Sequence, residues 1–408
     1  MKNLGIKVAL FINYFVFAIL LNSVGIVIKQ AIDNYEVLET RASALEAFKD
    51  LPIAIVSFLV ASFLPKIGYK KSMLFALLLV FFGCFYMYYG NSFASTKVLF
   101  LTIGIAFALI KVSVYSMIGL LTKSTKEHSS FMSIIEGFFM IGIASAYFIF
   151  PAFFDNKNPN AWLNVYLFLA GLIALSFFIL LFSKINVKPE ISNKTITQDF
   201  MGMIKLIISP LVIFFVLSAF LFVMVEQGIM TWLPTFNKKV LSLSDSLSVQ
   251  MASILAISLA VGRLLAGMIV KRISWLVITT ICIIISMIIV VAILPNIFEL
   301  KTTEITSVTK ITFTGFIFPI IGLFIAPIYP LINSVVLSAL PKQLHSAMTG
   351  LIVIFSALGG TFGSRIIGYL FEHIGGHKAF YFMLIPMTIL IISLIMLNKT
   401  IRKHEVIC

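Results

Sequence analysis

The residues of this chain that could do chemistry are ionisable side chains within or at the ends of long apolar stretches. They are Lys29, Glu46, Lys49, Asp50, Lys111, Glu136, Glu226, Arg263 and Arg365. An ionisable group inside the hydrocarbon of a bilayer costs at least about 2.5–3.5 kcal/mol, so each one needs a partner, water or a path to the surface. Such side chains form ion pairs, bind charged solutes or exchange protons, and the elements that carry them decide which.

Those apolar stretches predict a helical membrane protein with many spans. The chain has 408 residues, of which 60% are hydrophobic and 11% are charged, and its mean hydropathy is +1.09. Runs long enough to cross a bilayer, which takes about 20 residues each, recur from end to end. The pattern predicts an all-α protein with twelve spans, near 7–31, 43–64, 72–90, 98–121, 131–154, 162–182, 206–232, 247–270, 274–295, 311–338, 346–371 and 377–398.

The basic residues predict the orientation of these spans. The net charge is +14, and most of the lysines and arginines lie in segments on one side of the predicted spans. Cytoplasmic segments carry an excess of these residues. Both termini are therefore expected in the cytoplasm, with the protein in the plasma (bacterial inner) membrane. Because the charge follows topology, nucleic acid is not an expected partner.

Several other classes of protein are disfavoured. The sequence contains no GxxxxGK[ST] loop for ATP, and its histidines are scattered along the chain. The cysteines, Cys84, Cys282 and Cys408, have neither the number nor the spacing of a disulfide framework or a metal site. We therefore expect no enzyme activity, no cofactor and no metal.

A polar stretch divides the predicted spans into two sets of six. It reads SKINVKPEISNKTITQDFMGMIK and runs from residue 183 to 205. An even division around a cytoplasmic linker is typical of the internal repeats of secondary transporters. We expect an N-terminal six-helix bundle at 1–182, a linker at 183–205, and a C-terminal bundle with a short tail at 206–408.

Two short basic turns carry a family resemblance. ASFLPKIGYKK (61–71) follows the second span, and AGMIVKRIS (266–274) follows the eighth. With the twelve spans and the linker, they resemble the major facilitator superfamily, whose loop between spans 2 and 3 reads Gly, three residues, Asp, basic, any residue, Gly, then basic residues. This chain has Ala61 and Pro65 in place of the first Gly and the Asp. The residues that match are Lys66, Gly68, Lys70 and Lys71 in the first copy and Gly267 and Arg272 in the second.

Within that superfamily the chain resembles the fucose–galactose–hexose symporters. GLFIAPIYPLINSVVLSAL (322–340), SALGGTFGSRIIGYLFEHIGG (356–376) and EQGIMTWLPTF (226–236) carry the resemblance, the last near a break that the branch shows in span 7. That branch has acidic residues in spans 1 and 4 that are linked to proton coupling. Asn22 and Lys111 stand at the matching places, so fucose itself is not expected.

The resemblance also implies gates between the two halves. In the family's fold, spans 2 and 11 face each other across the boundary, as do spans 5 and 8. At about 1.5 Å per residue, Glu46, Asp50 and Arg365 lie in the outer third of their spans, whereas Glu136 and Arg263 lie about 8–10 Å from the cytoplasmic ends. Glu46 or Asp50 with Arg365 is predicted to form an outer gate, and Glu136 with Arg263 an inner one.

Local interactions are the alternative for each of these charges. Glu46 lies three residues before Lys49, which permits an ion pair on one helix face. Glu136 is within reach of Lys111 in the N-terminal half. The two arginines can instead bind nearby backbone carbonyls.

Lys111 is the main candidate for binding a solute. It lies about 15 Å up span 4, close to the midplane, where the substrate sites of such transporters lie. A cation there indicates a solute with a carboxylate, a phosphate or a hydroxyl-rich face, or else neutralisation by Glu136. The residues expected to bind substrate are Asn22, Lys111, Gln227, Tyr329 and Asn333.

Glu226 is the first candidate for a proton-binding carboxylate, ahead of Asp50 and Glu136. Gly228 and Pro234 follow it, and such residues can break a helix where it lines a cavity. Burial favours the neutral form of a carboxylate, which suits proton exchange. The alternative is an ordinary acid at the outer rim.

Together these features predict a secondary active transporter that moves a small polar solute, such as a sugar or sugar-like compound, by alternating access. Proton-coupled symport is expected, sodium being the other candidate ion, and a monomer should suffice. The alternative is a proton-antiporting efflux carrier for drugs or siderophores. Span 5 (IIEGFFMIGIASAYFIFP, 134–151) lacks the Gly–Pro pair of many exporters in the superfamily, which favours uptake.

Overall fold

Nearly all of the described chain is helical. The computed structural model describes residues 4–61, 64–121, 125–155, 157–183, 209–270, 272–297, 304–311, 313–339 and 345–407. Within those ranges, the one β-bridge joins Leu243 to Ile305. Of the predicted linker at 183–205, all but Ser183 lies outside the described residues.

The chain up to Ser183 forms apolar helices joined by short turns. They are α1 (Leu4–Asn22), α2 (Val24–Tyr35), α3 (Glu39–Ala42), α4 (Ala44–Ala61), α5 (Leu64–Ile67), α6 (Tyr69–Gly90), α7 (Phe93–Leu121), α8 (Thr125–Ile149) and α9 (Asn164–Phe182). Two 3₁₀ turns, Pro151–Phe153 and Ala161–Leu163, lie between α8 and α9.

The chain from Ser209 onward repeats this pattern. Its helices are α10 (Pro210–Lys239), α11 (Asp245–Ile269), α12 (Trp275–Ile293), α13 (Phe313–Ile317), α14 (Ile321–Ile325), α15 (Ile328–Ala339), α16 (His345–Ile374), α17 (Gly376–Ala379) and α18 (Leu384–Ile407). Pro210 is the first residue of α10. A backbone N–H at this position has no acceptor within the helix, so the N–H that proline lacks is not missed there.

Eleven stretches of the described chain are long and apolar enough to cross a membrane. They match every predicted span except the second. At that place lies α4, an 18-residue helix that carries three charges, Glu46, Lys49 and Asp50. The prediction of an all-α, multi-pass membrane protein is confirmed.

The expected break in span 7 is wrong, because α10 continues without interruption past Gly228 and Pro234. Gly228 instead serves packing, since a Cβ there would meet the side chain of Met383 and lie 3.6 Å from the backbone of Gly363. The interruption lies in the predicted span 10, which is divided into α13, a 3₁₀ turn at Phe318–Ile320, α14 and α15. Proline cannot donate the backbone hydrogen bond that continues a helix, and Pro319 lies in that turn.

The first predicted span is also divided, at Ser23, into α1 and α2. The Asn22 amide donates to the carbonyl of Ala18 at 2.9 Å, and the Ser23 hydroxyl donates to the carbonyl of Leu20 at 2.8 Å. Side chains that bond to carbonyls in the preceding turn compete with the helix and often bend it. Asn22 therefore has a local structural role at this division.

Residue contacts divide the chain into two compact units. The first unit comprises the described residues within 1–37 and 48–196, and the second those within 38–47 and 197–408. α3 and the first turn of α4 thus belong to the second unit. The predicted domain limits at 182 and 206 stay a prediction, because most of the stretch between them lies outside the described ranges.

Equivalent helix pairs in the two units approach closely at glycine. A Cβ at Gly142 of α8 would lie 2.7 Å from a carbonyl oxygen of α1, and a Cβ at Gly363 of α16 would lie 3.0 Å from the Cα of Met224 in α10. Gly104 of α7 meets α4 in the same way, and Gly262 of α11 meets α14. Small residues let membrane helices pack at short range. Spans 1 and 5 thus correspond to 7 and 11, and spans 2 and 4 to 8 and 10, which supports an internal duplication.

The basic turn between α5 and α6 caps another helix. Gly68 has a φ of +95°, which an L side chain adopts only with strain. Lys70 Nζ donates to the carbonyl oxygens of Leu181 and Ser183, at 2.8 and 2.7 Å, at the end of α9. A cation there satisfies unpaired carbonyls and interacts favourably with the helix dipole.

Replacing Lys70 by methionine is expected to lower stability by about 1 kcal/mol, because those carbonyls lose their cation. Thermal unfolding of the purified protein in detergent measures the change. The matched control is Lys71→Met on the neighbouring exposed side chain, which should leave the melting temperature unchanged. Equal shifts of the melting temperature in the two variants would show that Lys70 acts only through its positive charge and not through its bonds to the two carbonyls.

Candidate functional site

The first unit brings Lys111 of α7 close to Glu136 of α8. Tyr115, one turn after Lys111, donates from its hydroxyl to Glu136 Oε1 at 2.6 Å. Lys111 Nζ lies 5.9 Å from the ring centroids of both Phe107 and Tyr115, which is within cation–π range. Glu136 also acts on Lys111 electrostatically. The ammonium therefore lies between aromatic rings, close to an acid that a tyrosine already holds.

Further aromatic rings enclose this place. The ring of Tyr14 in α1 lies 5.1 Å from Phe139 of α8, 6.2 Å from Tyr115 and 6.3 Å from Phe107. Phe107 and Phe139 are 5.9 Å apart. Three helices therefore contribute to one group, the Lys111 cluster, which consists of Tyr14, Phe107, Lys111, Tyr115, Glu136 and Phe139.

In the second unit, Glu226 forms an ion pair with Arg263. Arg263 Nη2 donates to Glu226 Oε1 at 3.0 Å. Glu226 is buried, at 7% exposure, within α10. The side chain of Arg263, from α11, is 35% exposed. The pairing offsets part of the cost of an ionised acid among apolar helices, where an unpaired charge is costly.

Tyr329 and Asn333 of α15 lie beside this ion pair. The Tyr329 hydroxyl is hydrogen-bonded to Ser356 Oγ of α16 at 3.1 Å, and its ring stacks on Phe222 at 5.5 Å. Glu226 and Arg263 both act on Tyr329 electrostatically, and Asn333 lies next to it. Asn333 Oδ1 is buried and has no hydrogen-bond partner among the described residues. The Glu226 cluster consists of Phe222, Glu226, Arg263, Tyr329, Asn333 and Ser356.

Removing Arg263 should destabilise the protein, because Glu226 then loses its cation. Arg263→Gln is expected to lower the free energy of unfolding by about 2 kcal/mol. Breaking a fully buried pair costs about 3–5 kcal/mol, and the loss here is smaller because the arginine is partly exposed. Thermal unfolding measures this. The double variant with Glu226→Gln removes both charges and should recover most of the loss; a double variant as unstable as the single one would contradict the ion pair's role.

The segment 38–47 is tied to α10 and α16 within the second unit. Arg365 Nη1 donates to the carbonyl of Thr40 at 2.8 Å, and the Thr40 N–H donates to Glu372 Oε2 at 3.0 Å. Glu39 forms an ion pair with Lys239. These bonds hold α3 by its backbone and its first side chain.

Glu46 and Gly368 complete this attachment. Glu46 Oε2 accepts a hydrogen bond from Thr231 of α10 at 3.0 Å. Gly368 of α16 allows the close approach, since a Cβ there would lie 2.8 Å from Ser43 Cβ and 3.0 Å from the carbonyl oxygen of Glu39. The adjacent Trp232 of α10 is buried and donates to the carbonyl of Ser364 at 2.9 Å.

The predicted gate residues therefore have contacts within their own units. Asp50 lies 3.4 Å from Lys49, and Arg365 donates to the backbone carbonyl of Thr40. The outer gate of Glu46 or Asp50 with Arg365 stays a prediction. So does the inner gate, because Glu136 and Arg263 belong to different units.

Sequence reasoning missed several partners. Tyr115 could have been found, because it lies four residues after Lys111 on the same helix face. Ser356 and Thr231 had no comparable signal, since their partners lie 27 and 185 residues away in the chain. Gln227 is half-buried next to Glu226, and its role as a solute contact stays a prediction.

Each unit consists of apolar helices with charged side chains among them. This combination defines a class of multi-pass membrane proteins that carry charged groups among their helices. The chain belongs to the Major Facilitator Superfamily, whose sequence pattern matches residues 8–364. The family prediction is confirmed, and the chain is an integral membrane protein of a transporter family. None of the curated protein sequences matches it significantly.

Solved transporters share the fold at low sequence identity. A bacterial homologue of the human lysosomal transporter Spinster is 13% identical, with a TM-score of 0.76 over 98% of this chain and 97% of its own. The Escherichia coli fucose:proton symporter is 12% identical, with a TM-score of 0.63 over 97% and 98%. A D-xylose–proton symporter is 13% identical, with a TM-score of 0.69 over 95% and 96%. These likenesses establish the fold, and the assignment to the fucose–galactose–hexose branch stays a prediction.

Proposed function

We propose that this protein is a secondary active transporter that moves a small polar solute across the membrane by alternating access, driven by a proton gradient. The observation that carries the proposal is the Glu226–Arg263 ion pair at 3.0 Å. A buried carboxylate that has one cation for a partner has two states, ionised and paired or protonated and neutral. Proton exchange at Glu226 would change what Arg263 binds, and so couple protonation to conformation.

The energetics of a partly buried pair suit such a switch. Its Coulomb attraction is largely offset by the desolvation of both groups. The paired and separated states therefore differ little in free energy, and a proton or a solute can decide between them. Asp50 and Glu136 are the next candidates for the proton.

The solute site of the first unit is assigned to Lys111. Its ammonium faces the rings of Phe107 and Tyr115 rather than a carboxylate within ion-pair distance among the described residues. Tyr329 and Asn333 supply polar groups in the second unit, and the free acceptor of Asn333 suits a solute hydroxyl or N–H. Sugars fit such contacts, and two structural neighbours are sugar–proton symporters.

The proposal also covers the direction of transport and the location of the protein. We propose uptake rather than efflux, by a monomer in the bacterial inner membrane with both termini in the cytoplasm. This orientation follows from the distribution of lysine and arginine.

Uptake by proteoliposomes tests the function. The purified protein is reconstituted, and a panel of labelled sugars, nucleosides, amino acids and organic acids is supplied with an inward proton gradient, an outward proton gradient, an inward sodium gradient or none. At least one solute should accumulate under the inward proton gradient alone. Accumulation driven only by sodium, accumulation only under an outward gradient, or no accumulation of any solute would overturn proton-coupled uptake.

A further inference from the structure

We infer that the Lys111 cluster binds the carboxylate of a small ring-bearing monocarboxylic acid. The inference rests on the proposed function and names a narrower class of solute for the same site. It concerns the first unit only. Its basis is the chemistry of the six side chains that α1, α7 and α8 bring together.

The hydrogen-bond donors of Lys111, unused within the described chain, point to an anion. Glu136 is bound by the Tyr115 hydroxyl at 2.6 Å, and within the part of the chain that the structure describes it forms no ion pair with Lys111. A lysine ammonium carries three N–H donors, whereas the aromatic rings near Lys111 offer it only their faces. A carboxylate is the group that satisfies such a cation inside a membrane protein at short range.

The number of donors distinguishes among anions. Phosphate groups are bound in proteins by several donors at once, often through arginine or backbone N–H groups. The Lys111 cluster presents one ammonium, since the Tyr115 hydroxyl is already donated to Glu136 and the Tyr14 hydroxyl is hydrogen-bonded to Tyr115. One cation of this kind matches a single carboxylate better than a phosphate or a polyhydroxylated face.

The rest of the cluster fits the body of such a solute. The ring centroids of Phe107 and Tyr115 lie 5.9 Å from Lys111 Nζ, so the body of a solute held by that ammonium lies beside aromatic rings. Aromatic rings pack against flat or apolar groups in offset-stacked and edge-to-face geometries. The solute therefore carries a ring or a compact apolar group next to its carboxylate.

Binding to the purified full chain in lipid nanodiscs tests the inference. Calorimetric titration at one fixed pH compares three acids, acetate, benzoate and cyclohexanecarboxylate, with their amides, D-glucose and inorganic phosphate. Binding, rather than uptake, is measured because such acids cross bilayers unaided in their neutral form. We expect the two ring-bearing acids to bind more tightly than their amides, glucose or phosphate.

Variants then place the binding at Lys111. Lys111→Gln should weaken benzoate binding about tenfold or more, because one charge-assisted hydrogen bond is lost. Lys111→Arg keeps the positive charge and should retain part of the affinity. Lys97→Gln is the matched control, since Lys97 is another lysine of α7 that lies over an aromatic ring, that of Phe93 at 4.6 Å. Phe107→Leu should weaken the ring-bearing acids more than acetate.

Amides or glucose binding as tightly as the acids, or equal affinities in wild type and Lys111→Gln, would overturn the inference. The outcome is separable from that of the proposed function. A neutral solute that accumulates under a proton gradient independently of Lys111 would refute the inference and leave proton-coupled transport standing. Lys111-dependent binding of benzoate by a protein that accumulates no solute would do the reverse.

Discussion

Glu226→Gln is expected to abolish proton-driven accumulation while leaving downhill solute exchange intact. Glutamine keeps the size and the acceptor oxygen that Arg263 binds at 3.0 Å, but it cannot release a proton. The variant should therefore behave like a carrier fixed in the protonated form of this residue. Solute exchange across proteoliposomes without a gradient should continue, and the internal concentration should not rise above the external one when a proton gradient is imposed.

A matched acid supplies the control. Glu304 is an exposed carboxylate of the second unit that pairs with Lys238, and Glu304→Gln should accumulate solute as the wild type does. Asp50→Asn and Glu136→Gln complete the comparison, since these acids are the next candidates for the proton. Unimpaired accumulation by Glu226→Gln, with loss in one of the other two, would move the coupling role to that residue.

Gly363→Leu is expected to prevent the second unit from folding. The Cβ of any residue at this position would overlap the backbone of Met224, whose Cα lies at 3.0 Å. α10 and α16 would have to separate, and they carry Glu226, Ser356, Arg365 and the attachment of the segment 38–47. Overpacking that the backbone must absorb costs about 3 kcal/mol or more. Expression as a monodisperse protein in detergent, followed by thermal unfolding, measures the effect.

The control for this substitution is Gly171→Leu. Gly171 lies on the exposed side of α9, where a Cβ would meet nothing within 4 Å. Its replacement should leave the yield and the melting temperature close to those of the wild type. A Gly363→Leu protein that is as stable as Gly171→Leu would show that the two helices do not need their close approach.

Much of the fold was accessible from the sequence because membrane helices are specified by length and hydrophobicity. Water is absent from the hydrocarbon, so each span must form its backbone hydrogen bonds within its own helix. Apolar runs of about 20 residues therefore identify the spans in the sequence. Continuity within a span was less accessible. Pro319 lies in a turn that interrupts the tenth span, whereas Pro234 lies inside an unbroken helix, because neighbouring helices can compensate for a lost backbone bond.

The candidate site was predicted in its residue types rather than in its pairings. Lys111, Glu136, Glu226 and Arg263 stood out because charge within apolar sequence is costly and rare. Which acid meets which base depends on helix rotation and crossing, and the sequence does not reveal these. Arg263 thus binds Glu226, 37 residues away in the chain, a pairing that the sequence did not indicate, whereas its predicted pairing with Glu136 stays a prediction.

The most direct test of proton-coupled transport is the movement of protons caused by solute. Proteoliposomes containing a pH-sensitive dye are prepared without any initial gradient, and an accumulated solute identified in the uptake panel is added outside. Inward symport predicts acidification of the interior in wild type and in Glu304→Gln, with no acidification in Glu226→Gln. Solute entry without any change of internal pH in the wild type would contradict proton coupling. Acidification by Glu226→Gln as large as that by the wild type would contradict the assignment of the proton to this residue.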